Sequence, residues 1–364
     1  GGGVGIFTQT LGRALVQSGH RVTVVGVYDP ARQGVETDQG VTVIRLPHAR
    51  IPRTGFLVNG SRLRGAFRRI AQERPVDIIE GPELSLAAVS GDICGGRVIR
   101  MNGGHHFFRA TLGKRPRPWK AFQEKLSFRK ATHFCAVSSF VAETTRRLLH
   151  VSGRPIMILP NPVDTDFFCP RPGIPEQEAL IVFVGTVCEK KGIRQLVQAM
   201  PEIAGRVPGV RLLVIGRDGQ TESGASFTHF LRRLIPVSIG DRIEFKGAVA
   251  HEDLPALLAT ACVCAFPSHM EALAIAFVEG MAMGKPVIVG DTGPAREIVE
   301  DGVSGLLCNP FDPASIADKV TQALQETDLR RQLGIHARRR TVEKFSLRTM
   351  VPRNLDFYEN CLRG

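Results

Sequence analysis

Short apolar runs recur along the chain and are separated by longer amphipathic stretches. Apolar strands that alternate with helices of about 10–15 residues are typical of parallel sheets covered by helices on both faces. In the first half, strands are predicted at 20–28, 41–47, 76–81, 96–103 and 133–138. In the second half, they are predicted at 180–186, 210–216, 242–247, 262–268 and 286–291. The pattern indicates an α/β protein with two doubly wound, Rossmann-like domains.

The 364 residues exceed the length at which a single hydrophobic core stops growing, so two domains are expected. A Pro-rich segment at 158–179 separates the two series of strands and is interpreted as the linker. We expect one domain over 1–165, a second over 166–345, and a C-terminal helix over 346–364. In such sheets ligands bind at the carboxyl ends of the strands.

The beginning of the sequence departs from this pattern. Residues 1–15, "GGGVGIFTQTLGRAL", read as a Gly-rich turn that runs into a helix, an arrangement that normally follows a strand. No strand-like run precedes the turn. We therefore expect the first sheet to lack its first strand.

Charge is distributed unevenly along the chain. The net charge is +12, and residues 1–170 hold 24 Lys and Arg against 12 Asp and Glu, whereas the remainder holds 23 of each. A basic N-terminal half suits a phosphorylated ligand, an anionic membrane surface or nucleic acid, or it is a solvated basic surface. No apolar run is long enough to span a membrane, and no secretory signal is visible. The eight cysteines form no spacing framework, which favours a reduced cytoplasmic setting without zinc.

One carboxylate stands in an apolar helix. Residues 274–283 are apolar on nearly all sides, and Glu279 shares a face with Ile275, Val278 and Ala282. A lone buried carboxylate costs several kcal/mol unless hydrogen-bond donors meet it. Glu279 is therefore expected to bind a ligand or to pair with an Arg or Lys of the core.

A second chemical signal follows the strand "LIVFV". The segment "GTVCEKKG" (185–192) is a glycine turn that opens a helix and carries Lys190 and Lys191. Free backbone N–H groups at the helix start, together with the two ammonium groups, favour a diphosphate. The turn "GGGVG" (1–5) is a second such loop in the other domain.

Taken together, these motifs resemble the family 4 glycosyltransferases of the GT-B fold, the retaining E-x7-E type. The resemblance runs through nearly the whole chain. Its motifs are "GGVG" (2–5), "GHRVTVV" (19–25), "AVSSFVAE" (136–143), "LPNPVDTDFF" (159–168), "FVGTVCEKKG" (183–192), "FKGAVAHEDLPALLATACVCAFPS" (245–268), Glu271 with Glu279, and "GPAREIVEDGVSGLLCNPFDP" (293–313).

The resemblance implies a role for each matching residue. Glu279 is expected to accept hydrogen bonds from the ribose of a nucleotide sugar. Glu271 is expected to hold the donor sugar and to favour positive charge at its anomeric carbon. Lys191 matches the diphosphate-binding lysine, and Gly2 and Gly3 match the glycines whose N–H groups approach the same diphosphate.

The sequence departs from the family pattern at three places. Thr186 follows Gly185 where an Arg is usual, and Lys190 is a candidate substitute for its charge. The usual Gly-Phe-Gly after Glu271 is "ALA" (272–274), which puts close approach of the backbone to the sugar phosphate in doubt. The usual His-Gly of the N-terminal domain is Asn102-Gly103.

Two histidines, His105 and His106, follow that altered pair. Adjacent side chains point in different directions, so at most one of the two is expected to act. Asn102, His105 and His106 are alternatives for the contact with the donor sugar, and the candidate catalytic residues are Glu271, His105 and Asn102.

The resemblance implies transfer of a sugar from a nucleotide-diphosphate sugar to an acceptor hydroxyl with retention, in glycan, lipopolysaccharide or exopolysaccharide synthesis. The N-terminal domain is expected on the acceptor side, with the C-terminal helix crossing back to it. No cofactor or metal is expected. The expected partners are the donor, a glycan or lipid-linked acceptor and an anionic membrane surface, with a cytoplasmic or peripheral location. The alternatives are a GT-B epimerase or phosphorylase, or a non-catalytic nucleotide-sugar or membrane-binding module.

The sequence argues against a glycoside hydrolase pair, a metal-binding motif and a nucleic-acid-binding segment. Glu271 and Glu279 would lie about 12 Å apart along one helix, too far for the carboxylate pair of a glycoside hydrolase. The "DTD" at 164–166 resembles a metal-binding motif, but its place in the linker favours a turn cap. The basic segment "KRPRPWK" (114–120) has no accompanying nucleic-acid-binding motif, so nucleic acid is not expected. The resemblance implies contact with the acceptor or a membrane instead, and a solvated loop is the alternative.

Overall fold

The computed structural model describes residues 3–51, 54–89, 93–151 and 153–363, and these residues form two compact units. The first unit runs up to Pro162 and resumes at Leu347, and the second is Val163–Ser346. The predicted α/β class is confirmed. Within the described ranges, no helix combines the length and the apolar character needed to cross a bilayer.

The first unit contains strands and helices that alternate along the chain. Its strands are β1 Thr23–Tyr28, β2 Gly34–Asp38, β3 Val41–Pro47, β4 Ile78–Gly81, β5 Gly96–Met101, β6 His133–Ala136 and β7 Ile156–Ile158. Its helices up to the linker are α1 Gly3–Gln17, α2 Gly55–Glu73, α3 His105–Thr111, α4 Pro118–Lys130 and α5 Ser139–Leu149.

The strands of the first unit form two sheets. One has the order β1-β3-β2, with β1 parallel and β2 antiparallel to β3. The other is a parallel sheet in the order β4-β5-β6-β7. The single doubly wound sheet expected for this half is therefore divided in two among the described residues.

The second unit is one parallel sheet covered by helices. Its strands are β8 Leu180–Val184, β9 Arg211–Ile215, β10 Ile243–Gly247, β11 Val263–Phe266, β12 Val287–Gly290 and β13 Leu306–Cys308. Its helices are α6 Ile193–Arg206, α7 Phe227–Arg232, α8 Leu254–Ala259, α9 Ile275–Ala282, α10 Ala295–Ile298, α11 Pro313–Gln325 and α12 Thr327–Phe345.

The sheet order of the second unit is β10-β9-β8-β11-β12-β13. Alternate residues of β8 serve two cores: Ile181 and Phe183 pack on one face, and Leu180 and Val182 pack on the other. The chain proceeds outward from β8 in one direction and then from β11 in the other. The gap between β8 and β11 is thus the switch point at which such sheets bind ligands.

All ten predicted strands are present, although most are shorter at their ends. Three further strands, β2, β7 and β13, escaped the sequence reading. The segment of β2, "GVETD", is largely exposed and polar, while β7 and β13 are only three residues long. Their place in the sheets is set by pairing with neighbours, which a short apolar window does not encode.

The last helix, α13 (Leu347–Arg363), belongs to the first unit. Met350, Phe357 and Cys361 pack with Val98 of β5 in one hydrophobic cluster. The buried guanidinium of Arg100, also on β5, forms hydrogen bonds to Glu80 and Asn354.

These contacts form a closed polar network. Arg100 Nε donates to Glu80 Oε1 at 2.7 Å, and Arg100 Nη2 donates to Asn354 Oδ1 at 2.6 Å. The hydroxyl of Tyr358 donates to the other Glu80 oxygen at 2.9 Å. One buried cation therefore ties α13 to both β4 and β5.

We predict that Arg100→Met destabilises the first unit by about 3–5 kcal/mol, because it leaves the Glu80 carboxylate without its cation. Tyr358→Phe removes one hydrogen bond of the same network and should cost only about 1 kcal/mol. Urea dependence of hydrogen exchange at the β5 amides measures both. Equal losses in the two variants would contradict the central place given to Arg100.

Candidate active site

The turn after β8 and the loop after β11 meet at the switch point of the second unit. Gly192, which precedes α6, has a φ of +66°, and a Cβ on it would stand 1.7 Å from the backbone oxygen of Pro267. The backbone N–H of His269 also donates to the Lys190 carbonyl at 2.9 Å. Only glycine permits so close an approach. The contact brings segments 80 residues apart in the sequence into one site.

At this meeting point Lys191 and Glu271 form an ion pair. Lys191 Nζ lies 2.5 Å from Glu271 Oε1, and the Glu271 side chain is almost entirely buried. A hydrogen bond between two ionised groups in a partly dry site is among the stronger interactions available to side chains. The site thus presents one cation and one anion side by side at the carboxyl ends of β8 and β11.

Lys190 lies next to this pair and is substantially buried. Burial lowers the pKa of its ammonium group, while the Glu271 carboxylate acts in the opposite direction. The two ammonium groups of the turn thus lie beside the Glu271 carboxylate, while the turn's own carboxylate, Glu189, is paired with Arg194. A second anion, such as a diphosphate, would be met by excess positive charge.

A further cation stands beside Thr186, at the position where the family pattern has Arg. Arg217 follows the end of β9, and its Nε donates to Thr186 Oγ1 at 3.4 Å. Arg217 was missed by the sequence analysis. The signal was present in "VIGRDG", where a basic residue directly follows a predicted strand and its glycine.

Glu279 is buried in α9, as expected, with 4% of its surface exposed. Its partner is neither an Arg nor a Lys. His251 Nε2 lies 3.1 Å from Glu279 Oε1, and the imidazole packs against the rings of Phe167 and Phe168. Sequence reasoning missed His251, which lies on a short 3₁₀ turn after β10.

The altered segment "ALA" after Glu271 is accommodated by the core. Ala274 is buried in a hydrophobic cluster of the second unit, and Leu273 packs against the same cluster. Ala272 is buried as well. These side chains are thus packed largely within the protein.

The candidates of the first unit lie together at the carboxyl end of β5. The buried Glu83 accepts the Asn102 N–H at 2.6 Å. The buried Glu124 of α4 accepts the N–H groups of His105 at 2.7 Å and His106 at 2.9 Å, and it also bonds the His106 ring through Nδ1. Two carboxylates thereby hold the turn that carries the three candidate side chains.

Several polar atoms of the Asn102 and His105 side chains already have hydrogen-bond partners within the protein. His105 Nε2 accepts the backbone N–H of Arg117 at 2.8 Å. Asn102 Nδ2 donates to the Arg100 carbonyl, and its Oδ1 accepts from Asn161 at 3.3 Å. Burial lowers the pKa of His105. His105 is therefore a neutral imidazole over a wider pH range than a free histidine.

The glycines of the two predicted phosphate turns and the "DTD" segment are the remaining predicted positions. Gly185 directly follows β8, and Gly3 is the first residue of α1. Gly2 lies outside the described residues. Asp164 Oδ1 accepts the N–H groups of Asp166 and Phe167 at 3.0 Å, which confirms the turn-capping interpretation of "DTD". Nowhere in the described part of the chain do three or more His, Cys, Asp or Glu side chains gather as metal ligands.

Two family models together match residues 1–340 of the chain. Residues 1–167 match the glycosyltransferase family 4 model, and residues 164–340 match the model of glycosyl transferases group 1. The chain is a family 4, group 1 glycosyltransferase. The resemblance found in the motifs is thereby confirmed.

One curated relative aligns with nearly the whole of this glycosyltransferase, and another aligns with about half of it. A GDP-mannose-dependent α-(1-6)-phosphatidylinositol monomannoside mannosyltransferase of Mycobacterium tuberculosis is 27% identical over 95% of this chain and 91% of its own. A D-inositol 3-phosphate glycosyltransferase of Corynebacterium diphtheriae is 30% identical over 45% of this chain and 39% of its own.

Solved structures share the GT-B fold of this glycosyltransferase. Sucrose-phosphate synthase of Thermosynechococcus elongatus superposes with a TM-score of 0.86 at 24% identity, covering 100% of this chain and 94% of that one. Anabaena HepE in complex with UDP and glucose gives 0.76 at 17% identity, covering 99% and 96%. At these identities the likeness concerns the fold alone.

Glu83 gives the first unit of the glycosyltransferase a pH dependence. Burial raises its carboxyl pKa to about 7, with a further rise from the nearby Glu124 charge that the Asn102 N–H partly offsets. The unfolded chain releases this proton near pH 4.5, whereas the folded chain keeps it until about pH 7. Stability therefore falls as the pH rises through this interval and stays reduced above it.

We predict that Glu83→Gln removes this loss. At about 1.4 kcal/mol per pH unit, the pKa difference of Glu83 corresponds to roughly 3 kcal/mol of unfolding free energy. Relative to the wild type, the variant should therefore become more stable by up to that amount as the pH rises from about 5 to about 8. Urea unfolding of the first unit at both pH values measures the difference. The exposed Glu143→Gln serves as the control and should give no such gain. A constant difference between Glu83→Gln and wild type at both pH values would contradict the account.

Proposed function

We propose that this glycosyltransferase moves a sugar from a nucleotide-diphosphate donor to an acceptor hydroxyl with retention of the anomeric configuration. The observation that carries the proposal is the Lys191–Glu271 pair at 2.5 Å, placed at the switch point of a parallel sheet. A departing diphosphate needs cations, and a sugar that develops positive charge needs an anion. The pair provides both in one place.

The diphosphate is proposed to bind at the turn after β8. Lys191 and Arg217, which lies beside Thr186, supply the side-chain donors. A diphosphate at Lys191 competes with Glu271 for the ammonium group. Its binding would free the Glu271 carboxylate for the hydroxyls of the donor sugar.

Glu279 is proposed to receive the ribose hydroxyls through the oxygen that His251 does not occupy. Its burial supports this role, because a carboxylate oxygen in so dry a place gains strongly from a hydroxyl donor. In the first unit, Asn102 and His105 are proposed to address the sugars. The turn that carries them is fixed by Glu83 and Glu124, which supports a positioned rather than a mobile role.

The transfer step is proposed to occur on a single face of the sugar. The acceptor oxygen bonds to the anomeric carbon as the bond from that carbon to the phosphate oxygen breaks. The acceptor proton passes to the departing phosphate oxygen. Lys191 stabilises the charge on the leaving group, and no metal or cofactor takes part.

The donor is proposed to be a hexose nucleotide and the acceptor a lipid-linked or phosphorylated polyol, in glycan or glycolipid synthesis. Support comes from the relatives, a GDP-mannose-dependent mannosyltransferase of a phosphatidylinositol mannoside and an inositol phosphate glycosyltransferase. A cytoplasmic site of action at the membrane surface fits such an acceptor. Thermal shift with UDP-, GDP- and ADP-sugars identifies the base, because a ligand of the folded state raises its melting temperature.

We predict that Glu279→Gln weakens donor binding by more than about tenfold, since a charge-assisted hydrogen bond contributes about 1.5–3 kcal/mol. Glu271→Gln should instead lower kcat with a smaller effect on donor affinity. Calorimetric titration and release of nucleotide diphosphate measure the two effects. The exposed Glu326→Gln of the same unit is the control and should match wild type. Normal donor affinity in both Glu279→Gln and Glu271→Gln would refute the division of roles.

We predict that EDTA leaves the rate of transfer unchanged, because the proposed diphosphate site is built from ammonium and guanidinium groups. Initial rates with and without the chelator, and after addition of Mg²⁺ or Mn²⁺, measure this. Activity that disappears with EDTA and returns with either metal would overturn the metal-independent step.

A further inference from the structure

On the surface of the first unit, the Trp119 ring contacts the rings of Phe56 and Phe122. The Phe56 and Trp119 rings lie 3.9 Å apart between centroids, and those of Trp119 and Phe122 lie 5.5 Å apart. Trp119 is 42% exposed and Phe122 is 54% exposed. We call Phe56, Trp119 and Phe122 the three-ring patch. It joins the beginnings of α2 and α4.

Such a patch is unusual on a soluble surface. Single exposed apolar side chains are ordinary, but neighbouring large ones indicate an interaction site. Leu57, the residue after Phe56, is 58% exposed and enlarges the apolar area. Trp119 is the only tryptophan of the chain, and it lies outside the core.

Positive charge surrounds the patch. Trp119, Phe122, Lys125 and Arg129 follow one another at helical spacing on one exposed face of α4. Residues 109–130 contain eight Lys and Arg against a single acid, Glu124, which is buried.

The other helix of the patch is basic as well. Helix α2 carries four Arg against one Glu, and Gly55 is its only fully buried residue. The rings are thus presented within a surface of nearly unmixed positive charge.

We propose that the three-ring patch and these cations dock the protein on an anionic lipid bilayer. Trp and Phe rings partition into the boundary between headgroups and acyl chains, and Lys and Arg are drawn to anionic headgroups. Aromatic and Arg side chains are also enriched at protein interfaces, but Lys is depleted there. The exposed Lys120 and Lys125 of α4 therefore favour an anionic bilayer over a protein partner. The purpose of docking rests on the lipid-linked acceptor proposed above, whereas the docking itself rests on the rings and charges.

The single tryptophan makes the test site-specific. The full chain is mixed with vesicles of phosphatidylcholine alone, or of phosphatidylcholine with phosphatidylglycerol. Trp119 emission should shift to the blue and be quenched by brominated acyl chains only with the anionic vesicles. Added salt should weaken the binding, because it screens the attraction of exposed charges.

Matched variants separate the two parts of the surface. Phe122→Ser keeps the reporter and removes one ring, and it should weaken vesicle binding by about tenfold. Lys125→Glu with Arg129→Glu should abolish the preference for anionic vesicles. The controls in the second unit are Val237→Ser, where Val237 is 99% exposed, and Arg331→Glu with Arg339→Glu, which gives the same change of net charge. Both controls should bind as wild type does.

Several results would overturn the proposal. One is no emission shift with anionic vesicles, and another is equal binding by the patch variants and their controls. Self-association in sedimentation that Phe122→Ser abolishes would assign the patch to a second copy of the chain. The same blue shift with dextran sulfate in solution would assign it to a soluble polyanion. Transfer to a soluble acceptor by the wild-type chain is assayed in parallel. A wild-type chain that transfers sugar but does not bind anionic vesicles rejects the docking and leaves the proposed function standing.

Discussion

The second unit depends on one close backbone contact, between Gly192 and the carbonyl of Pro267. This contact joins the end of β8 to the end of β11, the two strands at which the winding of the sheet changes direction. It places Lys191 and Glu271 close enough to form their ion pair. Any larger residue at position 192 would push the turn away and separate the pair. Backbone geometry therefore determines how close the two charged side chains of the site lie.

A second constraint governs both units: each buried carboxylate needs a donor. In the second unit, Glu271 meets Lys191 and Glu279 meets His251. In the first unit, Glu124 receives two backbone N–H groups and the ring of His106. Glu124 meets its backbone donors on the turn after β5, and Glu271 lies on the loop after β11, where the backbone leaves each sheet. The same constraint thus stabilises the loops to which the donor-binding groups are proposed to belong.

The sequence predicted what periodicity and spacing encode. Ten strands, the buried position of Glu279 and the turn role of Asp164 followed from apolar runs, helical spacing and turn chemistry. His251 and Arg217 did not, because each approaches its partner from a different strand and no local pattern links the positions. The first sheet was expected to lack a strand, but the division of its described strands into two sheets was not predicted, since strand pairing is a non-local choice. Resemblance to a family supplied the roles of Lys191 and Glu271, which spacing alone could not.

The central claim is that the Lys191–Glu271 site transfers a sugar from a nucleotide diphosphate with retention. The most direct measurement follows the reaction of an α-linked donor by proton NMR and reads the anomeric coupling of the first product formed. The account predicts an α-linked product, released together with nucleotide diphosphate, and loss of both signals in Lys191→Met. A β-linked product, or an α-linked product formed at the wild-type rate by Lys191→Met, would contradict it.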